Sequence, residues 1–156
     1  MLALLEEQSN SSQVKICLET CGHQVLVASD FIRAQALLCV QNVDLIISDV
    51  HLENGGSVFD FLRVVKWSER TAAIPFVLFS LKPTSVAKYL ADGTRITARI
   101  LGAVKYIEMD IFDSARFQQE INGLLALEKS VPVVPLLSAL TPFNPHQSRT
   151  TKSLVT

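Results

Sequence analysis

The 156-residue chain is 49% hydrophobic and 19% charged, which supports one domain with a buried core and excludes global disorder. Its 14 basic and 15 acidic residues are interspersed and give a net charge of −1, so there is no basic footprint for nucleic acid or an anionic membrane. The N-terminal "MLALLEEQ" lacks the features of a signal peptide, and no apolar run approaches the ~18 residues that span a bilayer. We therefore expect a cytoplasmic protein that binds neither nucleic acid nor membrane.

Apolar strand-like segments alternate with segments of helical spacing along the chain. The predicted strands are residues 3–5, 24–28, 44–49, 74–80 and 104–108. The predicted helices are residues 14–21, 31–41, 57–67, 84–101 and 111–128. The stretch "QSNSSQ" supplies N-cap residues for the first helix, Gly22 ends it, and Ser29-Asp30 caps the second.

The third and fourth predicted strands are continuous apolar runs rather than alternating patterns, so both of their faces should be covered. Together with the strand–helix alternation, this predicts a parallel sheet with helices on both sides. Right-handed crossovers then favour a doubly wound α/β fold, in which ligands bind at the carboxyl ends of the strands.

The fourth helical region contains "ADGT", a turn signal followed by a helix-capping residue. We expect a broken helix, with segments Thr84–Leu90 and Thr94–Leu101. The alternative is one long helix that tolerates Gly93 at a cost of ~1 kcal/mol.

Polar residues stand where the predicted strands end: Glu6-Glu7, Asp49, Ser80 and Glu108. Glu6, Glu7 and Asp49 end strands that should be neighbours, and three carboxylates at one edge repel one another unless a cation lies between them. Oxygen ligands without thiols suit Mg²⁺, and Ser80 could donate a hydrogen bond to an anion held there. The alternative is that Glu6-Glu7 simply begins the first loop.

Three cysteines, Cys17, Cys21 and Cys39, are too few and of odd number for a disulfide framework. Cys17 and Cys21, with His23 just beyond, allow a zinc interpretation but have no matching second half. We expect both to be small buried hydrophobic residues.

From about residue 2 to residue 127 the chain resembles the receiver domain of bacterial two-component response regulators. "LLEEQ" is similar to the strand 1 acidic pair, and "DLIISDVHL" to the strand that carries the phosphoacceptor aspartate, here Asp49. "IPFVLFS" resembles strand 4 with its terminal hydroxyl residue, Ser80. "LGAVKYIEMDIF" resembles the strand 5 signature, with Tyr106 at the switch aromatic and Phe112 near the closing phenylalanine.

The resemblance implies a flavodoxin-like, receiver-type sheet of five parallel strands in the order 2-1-3-4-5. It implies a phosphorelay switch rather than an enzyme, in which a histidine kinase or phosphotransfer protein phosphorylates Asp49. Mg²⁺ would be held by Glu6, Glu7, Asp49 and the backbone carbonyl of His51. Ser80 and Tyr106 would then change the surface of helix 4, strand 5 and helix 5, where a downstream protein binds.

The chain departs from the family pattern at the positions of the strand 5 lysine and proline, which are Met109 and Asp110. A thioether supplies no positive charge to a phosphoryl group. Lys105 begins about 13 Å back along the strand, which is too far to replace it. Lys82, two residues beyond Ser80, is the better stand-in. The glutamates at positions 6 and 7 are also longer than the usual aspartates.

The sequence leaves two main alternatives for the function, and a third that is less favoured. The domain is a phosphorylatable receiver, or a pseudo-receiver that serves as a phosphorylation-independent protein-interaction module. A flavodoxin-like enzyme or nucleotide binder is less favoured, because "EEQSNSSQ" contains no glycine-rich phosphate loop. We assign residues 1–128 to the receiver-like domain and residues 129–156, rich in proline, serine and threonine, to a flexible tail or linker.

Overall fold

The computed structural model describes residues 1–50 and 56–129, in which five strands alternate with five helices. The strands are β1 (Leu2–Leu4), β2 (Leu26–Ala28), β3 (Ile46–Asp49), β4 (Phe76–Leu81) and β5 (Lys105–Met109). The helices are α1 (Gln8–Thr20), α2 (Phe31–Val40), α3 (Val58–Trp67), α4 (Ser85–Ile100) and α5 (Ser114–Lys129). Every predicted strand and helical region is present, and most of their ends are shifted.

The strands form one parallel sheet in the order β2-β1-β3-β4-β5, as the resemblance implied. Its register pairs Leu4 with Ser48, Asp49 with Phe79, and Ser80 with Glu108. The carboxyl ends of β1, β3 and β4 therefore meet at one edge of the sheet, which is where the sequence predicted the site.

Helices cover both faces of the sheet, and two apolar clusters form the core. One cluster joins the sheet to α2, α3 and α4, and the other joins it to α1 and α5. Because β3 and β4 lie in the middle, their side chains are almost entirely buried, as the continuous apolar runs predicted.

The predicted cap of α1 is wrong. The helix begins at Gln8, and its N-cap residue, Glu7, makes no side-chain capping bond. "QSNSSQ" is helical because Asn10 and Ser11 turn inward with Val14, and the Ser11 hydroxyl donates to the Gln8 carbonyl at 3.0 Å. The other two signals are confirmed: Asp30 accepts a bond from the Arg33 N–H at 2.8 Å, and Gly22 ends α1 with φ 84°.

The predicted break in the fourth helix is also wrong, because α4 is continuous from Ser85 to Ile100. Thr84 caps it by accepting a bond from the Ala87 N–H. Gly93 lies in open space, and the burial of Ala91 and Ala98 on either side offsets its penalty of ~1 kcal/mol. Within residues 1–50 and 56–129, no helix is long and apolar enough to cross a membrane.

Candidate functional site

A cleft of about 640 Å³ opens at the carboxyl edge of the sheet, between the strand ends and the start of α4. Its polar lining consists of Glu6, Glu7, Asn10, Asp49, Ser80, Lys82 and Thr84. Its apolar wall comes from α4 and the segment before it: Leu81, Pro83, Val86, Ala87 and Leu90. The structure therefore brings five residues singled out from the sequence into one cleft, namely Glu6, Glu7, Asp49, Ser80 and Lys82.

Asp49 is the last residue of β3 and is partly exposed, whereas Ser80 is buried inside β4. Their strands are hydrogen-bonded neighbours, and the Val50 N–H donates to the Phe79 carbonyl at 3.2 Å. This backbone bond fixes the end of β3 against β4, so a group bound at Asp49 lies beside the strand that carries Ser80.

The carboxylates fit Mg²⁺ only in part. Carboxylate oxygens are the ligands that Mg²⁺ accepts, and it often takes only one or two of them and keeps several waters. Among the described residues, however, no three histidine, cysteine or acidic side chains are close enough to hold a metal together. Glu7 is exposed and accepts a hydrogen bond from the Ser9 hydroxyl. His51 lies outside the described residues, so the predicted ligand set stays a prediction.

The zinc interpretation gains no support from the cysteines. Cys17 is buried and Cys21 is exposed, so the expectation that both are buried is wrong for Cys21. Burial raises the pKa of the Cys17 thiol, which disfavours the thiolate that a metal needs.

Lys82 is exposed in the loop after β4 and lines the cleft. With φ 53°, it is the only non-glycine residue of the described chain in the left-handed region. Its N–H donates to the Met109 carbonyl at 2.8 Å, which ties this loop to the end of β5. A strained backbone next to a site is a frequent mark of function.

Met109 does not line the cleft. It is only 2% exposed and belongs to the apolar cluster under α1 and α5. Lys105 does not replace the missing positive charge, because its amine forms an ion pair with Glu120 on α5. In the described part of the site, Lys82 is thus the cleft-lining residue that carries a positive charge.

Tyr106, at the predicted switch position, is half-buried between β4 and α4. Its hydroxyl donates to Glu108 at 3.2 Å, and the Arg95 guanidinium lies 5.2 Å from the ring centroid. Burial raises the pKa of Tyr106, with Glu108 adding to this effect and a hydrogen bond with Ser80 opposing it. The predicted phosphoryl-binding hydroxyl therefore lies close enough to Tyr106 to influence its pKa.

Asp110, which stands at the family's proline position, forms an ion pair with Lys88 of α4 at 2.6 Å. This contact ties the residue after β5 to the first turn of α4. The hydrogen bond and charge of Asp110 raise the pKa of the Lys88 amine.

We predict that the Lys88 amine titrates at a higher pH in the wild type than in Asp110→Asn, because the variant lacks the carboxylate that pairs with it. Because the folded-state pKa is raised, the pair stabilises the fold fully below the pKa of an unfolded lysine, and this stabilisation is lost as pH rises through the folded value. Side-chain NMR titration of Lys88 in the wild type and in Asp110→Asn measures the shift. Identical titration of Lys88 in the two proteins would contradict the pairing in solution.

Sequence analysis missed Asn10, a buried polar side chain in the cleft lining. A signal was present, because Asn10 stands four residues before Val14 and so shares its inward helical face. The Lys88–Asp110 and Arg95–Tyr106 contacts had no such signal in the sequence. Each joins two segments that are distant in sequence and come together only in the folded domain.

No protein-family model matches the chain, and no curated protein is significantly similar to it in sequence. The order of its strands and the cleft at their carboxyl ends define a receiver-type α/β fold, and solved structures agree. The chemotaxis response regulator CheY4 of Vibrio cholerae is similar with a TM-score of 0.66 and 22% identity, over 79% of this chain and 95% of that one.

Two further structures have the same fold. The signal receiver domain of a signal transduction histidine kinase from Syntrophus aciditrophicus has a TM-score of 0.67 and 20% identity, over 87% of this chain and 96% of that one. The receiver domain of NtrX from Brucella abortus has a TM-score of 0.67 and 23% identity, over 83% of this chain and 98% of that one. The chain thus has the receiver-domain fold.

Proposed function

We propose that the protein is a two-component receiver switch that accepts a phosphoryl group on Asp49 from a histidine kinase or phosphotransfer protein in the cytoplasm. One observation carries the proposal: Asp49 ends the central strand of a receiver-type fold and shares its cleft with Ser80 and the acidic residues after β1. Solved structures similar to this chain include a chemotaxis response regulator and the receiver domain of a histidine kinase.

In the proposed reaction, a carboxylate oxygen of Asp49 forms a bond to phosphorus, and the donor leaves with the electron pair of the bond that breaks. Ser80 donates a hydrogen bond to a phosphoryl oxygen, and the Lys82 amine supplies positive charge from the loop. One or two of the carboxylates of Glu6, Glu7 and Asp49 would hold Mg²⁺, with waters as its other ligands, and the ion would supply positive charge for the phosphoryl oxygens when bound.

The proposed readout passes from Ser80 to Tyr106. Movement of the Ser80 hydroxyl toward the phosphoryl group would remove its interaction with the Tyr106 hydroxyl. Tyr106 also contacts Arg95 of α4, so a change in the tyrosine alters the surface that α4, β5 and α5 offer to a downstream protein. We propose that this surface is where the partner binds.

The test is incubation with a small acyl phosphate donor and Mg²⁺, followed by intact mass. We expect one phosphoryl adduct in the wild type, none in Asp49→Ala, and little when the metal is chelated. Folding of each variant is checked by circular dichroism. If the folded wild type forms no adduct with the small donor or with kinases, the phosphorylation proposal fails.

The second candidate is a pseudo-receiver that binds proteins independently of phosphate. It is favoured by Met109, which is buried away from the cleft, and by the lack of a three-ligand metal cluster among the described side chains. A partner that binds the wild type and Asp49→Ala equally, with and without phosphodonor, would support this function.

We predict that Lys82→Asn lowers the phosphorylated fraction several-fold and changes the free energy of unfolding by less than about 0.5 kcal/mol. Asparagine tolerates the left-handed backbone of residue 82, so the substitution removes the charge with little new strain. Lys15→Asn, which removes a partly exposed lysine of α1 outside the cleft, is the control and should leave phosphorylation unchanged. Equal losses in the two variants would point to overall charge rather than to the position of Lys82.

A further inference from the structure

The outer side of α4 carries an apolar stripe, which consists of Val86, Tyr89, Leu90, Ile96 and Ile100. Successive residues of an α-helix are rotated by about 100°, and at that rotation these five positions fall within about one third of the circumference of α4. They therefore lie on one side of the helix. All five are more than half exposed. The buried residues of α4 are only alanines, Ala87, Ala91 and Ala98. The helix therefore turns its large apolar side chains outward, the reverse of an ordinary surface helix.

This apolar stripe is distinct from the charged side of α4 that faces β5. Lys88 and Arg95 lie on that charged side, where they contact Asp110 and Tyr106. At about 100° per residue, both lie more than a quarter turn from the centre of the stripe. A continuous exposed apolar surface of this kind normally marks a contact surface.

We propose that residues 131–143 of the same chain, "VPVVPLLSALTPF", lie along the apolar stripe of α4. This segment contains no charged residue. Eight of its thirteen residues are apolar residues other than proline: Val131, Val133, Val134, Leu136, Leu137, Ala139, Leu140 and Phe143. Its three prolines limit the backbone freedom that docking would remove, which lowers the entropy lost on binding.

The direction of the helices places the start of this segment suitably. Both α4 and α5 begin at the carboxyl edge of the parallel sheet and run back toward its amino edge. The end of α5 therefore lies at the same edge as Ile100, the end of α4. One residue, Ser130, separates the end of α5 from residue 131. Val104, which is half exposed at the amino end of the edge strand β5, offers an apolar surface between the two helices.

The length of the segment also fits. The path from the end of α5 around β5 to the end of α4 is roughly 20 Å, about two helix diameters, and the stripe from Ile100 to Val86 adds about 21 Å. Thirteen residues at ~3.1 Å each reach about 40 Å. Since Val86 and Leu90 also line the cleft, a docked tail would end beside the Asp49 site.

The test uses the full chain with a nitroxide attached to Ser138→Cys, after Cys21→Ser and Cys39→Ser remove the exposed native thiols. Paramagnetic broadening of backbone amide signals then reports which residues lie near position 138. We expect the amides of residues 86–100 to lose most of their intensity and those of α1 to keep theirs.

Two matched variants make the result specific. Ile96 is 61% exposed on α4 and Ile16 is 65% exposed on α1, so replacing either by glutamate adds the same charge at similar exposure. Ile96→Glu should restore the α4 signals several-fold, whereas Ile16→Glu should leave them broadened. Because neither side chain is buried, both variants should stay folded.

Three outcomes would overturn the proposal. Broadening centred on Val64 and Trp67, the exposed apolar residues of α3, would place the tail there instead. Broadening of an isotope-labelled chain by a separate spin-labelled chain would assign the stripe to a second copy. Uniform signals throughout the domain would show that residues 131–143 do not dock. None of these outcomes depends on phosphorylation of Asp49.

Discussion

Met109→Lys should raise the fraction of the protein phosphorylated on Asp49 by about tenfold under limiting phosphodonor. A charge-assisted hydrogen bond contributes about 1.5–3 kcal/mol, and roughly 1.4 kcal/mol corresponds to a factor of ten. The wild type has only the loop residue Lys82 as a cleft-lining cation in the described site. Intact mass after treatment with an acyl phosphate donor and Mg²⁺ measures the change, with Asp49→Ala as the blank.

The surroundings of Met109 decide which variant is best. Met109 is the buried last residue of β5, so a lysine there should keep its stem in the apolar cluster and extend its amine past the end of the strand toward the cleft. Restoring the family pair with Asp110→Pro would also break the ion pair of Asp110 with Lys88. The single substitution is therefore preferable, and Met109→Leu controls for the altered core packing.

The outcome separates two explanations of the missing lysine. If Met109→Lys and Met109→Leu phosphorylate to the same extent as the wild type, the position contributes nothing and Lys82 is the next residue to replace. If the phosphorylated fraction rises in Met109→Lys but not in Met109→Leu, the phosphoryl site of the natural chain is weakened by the missing lysine. A loss of folding in Met109→Lys, detected by circular dichroism, would show that its amine fails to reach water.

The sequence was sufficient to predict the order of the elements and the edge of the sheet at which the cleft opens. The buried runs around Ile47 and Leu78 identify central parallel strands, and their ends position Asp49 and Ser80 wherever such a sheet forms. The strand ends of a parallel sheet are set by topology alone, so the five cleft residues singled out beforehand needed no knowledge of side-chain packing.

The errors arose where tertiary contacts outweigh local signals. "ADGT" is a sound turn signal, but the contacts of Lys88 and Arg95 with β5 and its loop, together with the buried alanines, hold α4 as one helix through Gly93. "QSNSSQ" is rich in capping residues, yet Asn10 is helical because it faces the cleft and core. A local sequence pattern cannot show that a tertiary contact outweighs a turn or capping signal, because the residue that makes the contact is distant in sequence.

Phe79→Ala should lower the free energy of unfolding by about 3–5 kcal/mol, a large part of the 5–15 kcal/mol typical of a domain. Phe79 is 1% exposed, and its ring centroid lies 5.1 Å from that of Phe117 and 6.4 Å from that of Phe112. Removing the ring would leave a cavity between β4 and α5. At about 2–4 °C per kcal/mol, the melting temperature should fall by roughly 10 °C or more.

Phe59→Ala is the matched control, because it removes the same atoms from a phenylalanine of α3 that is only partly buried. It should destabilise the fold by less than half as much, since less apolar surface is lost and water can enter the space. Equal destabilisation by the two substitutions, measured by urea unfolding with unchanged m-values, would contradict the central role of the Phe79 cluster.

The same substitution should affect the site as well as the fold. Phe79 pairs with Asp49 across the sheet, and its carbonyl accepts the bond from the Val50 N–H. Ser80 follows it directly in β4, so the packing of one ring fixes the strand segment on which both predicted phosphoryl-binding residues depend. At a temperature where Phe79→Ala remains folded, phosphorylation should therefore fall more than in Phe59→Ala. Equal phosphorylation in the two folded variants would show that the backbone ladder alone holds Asp49 and Ser80 in position.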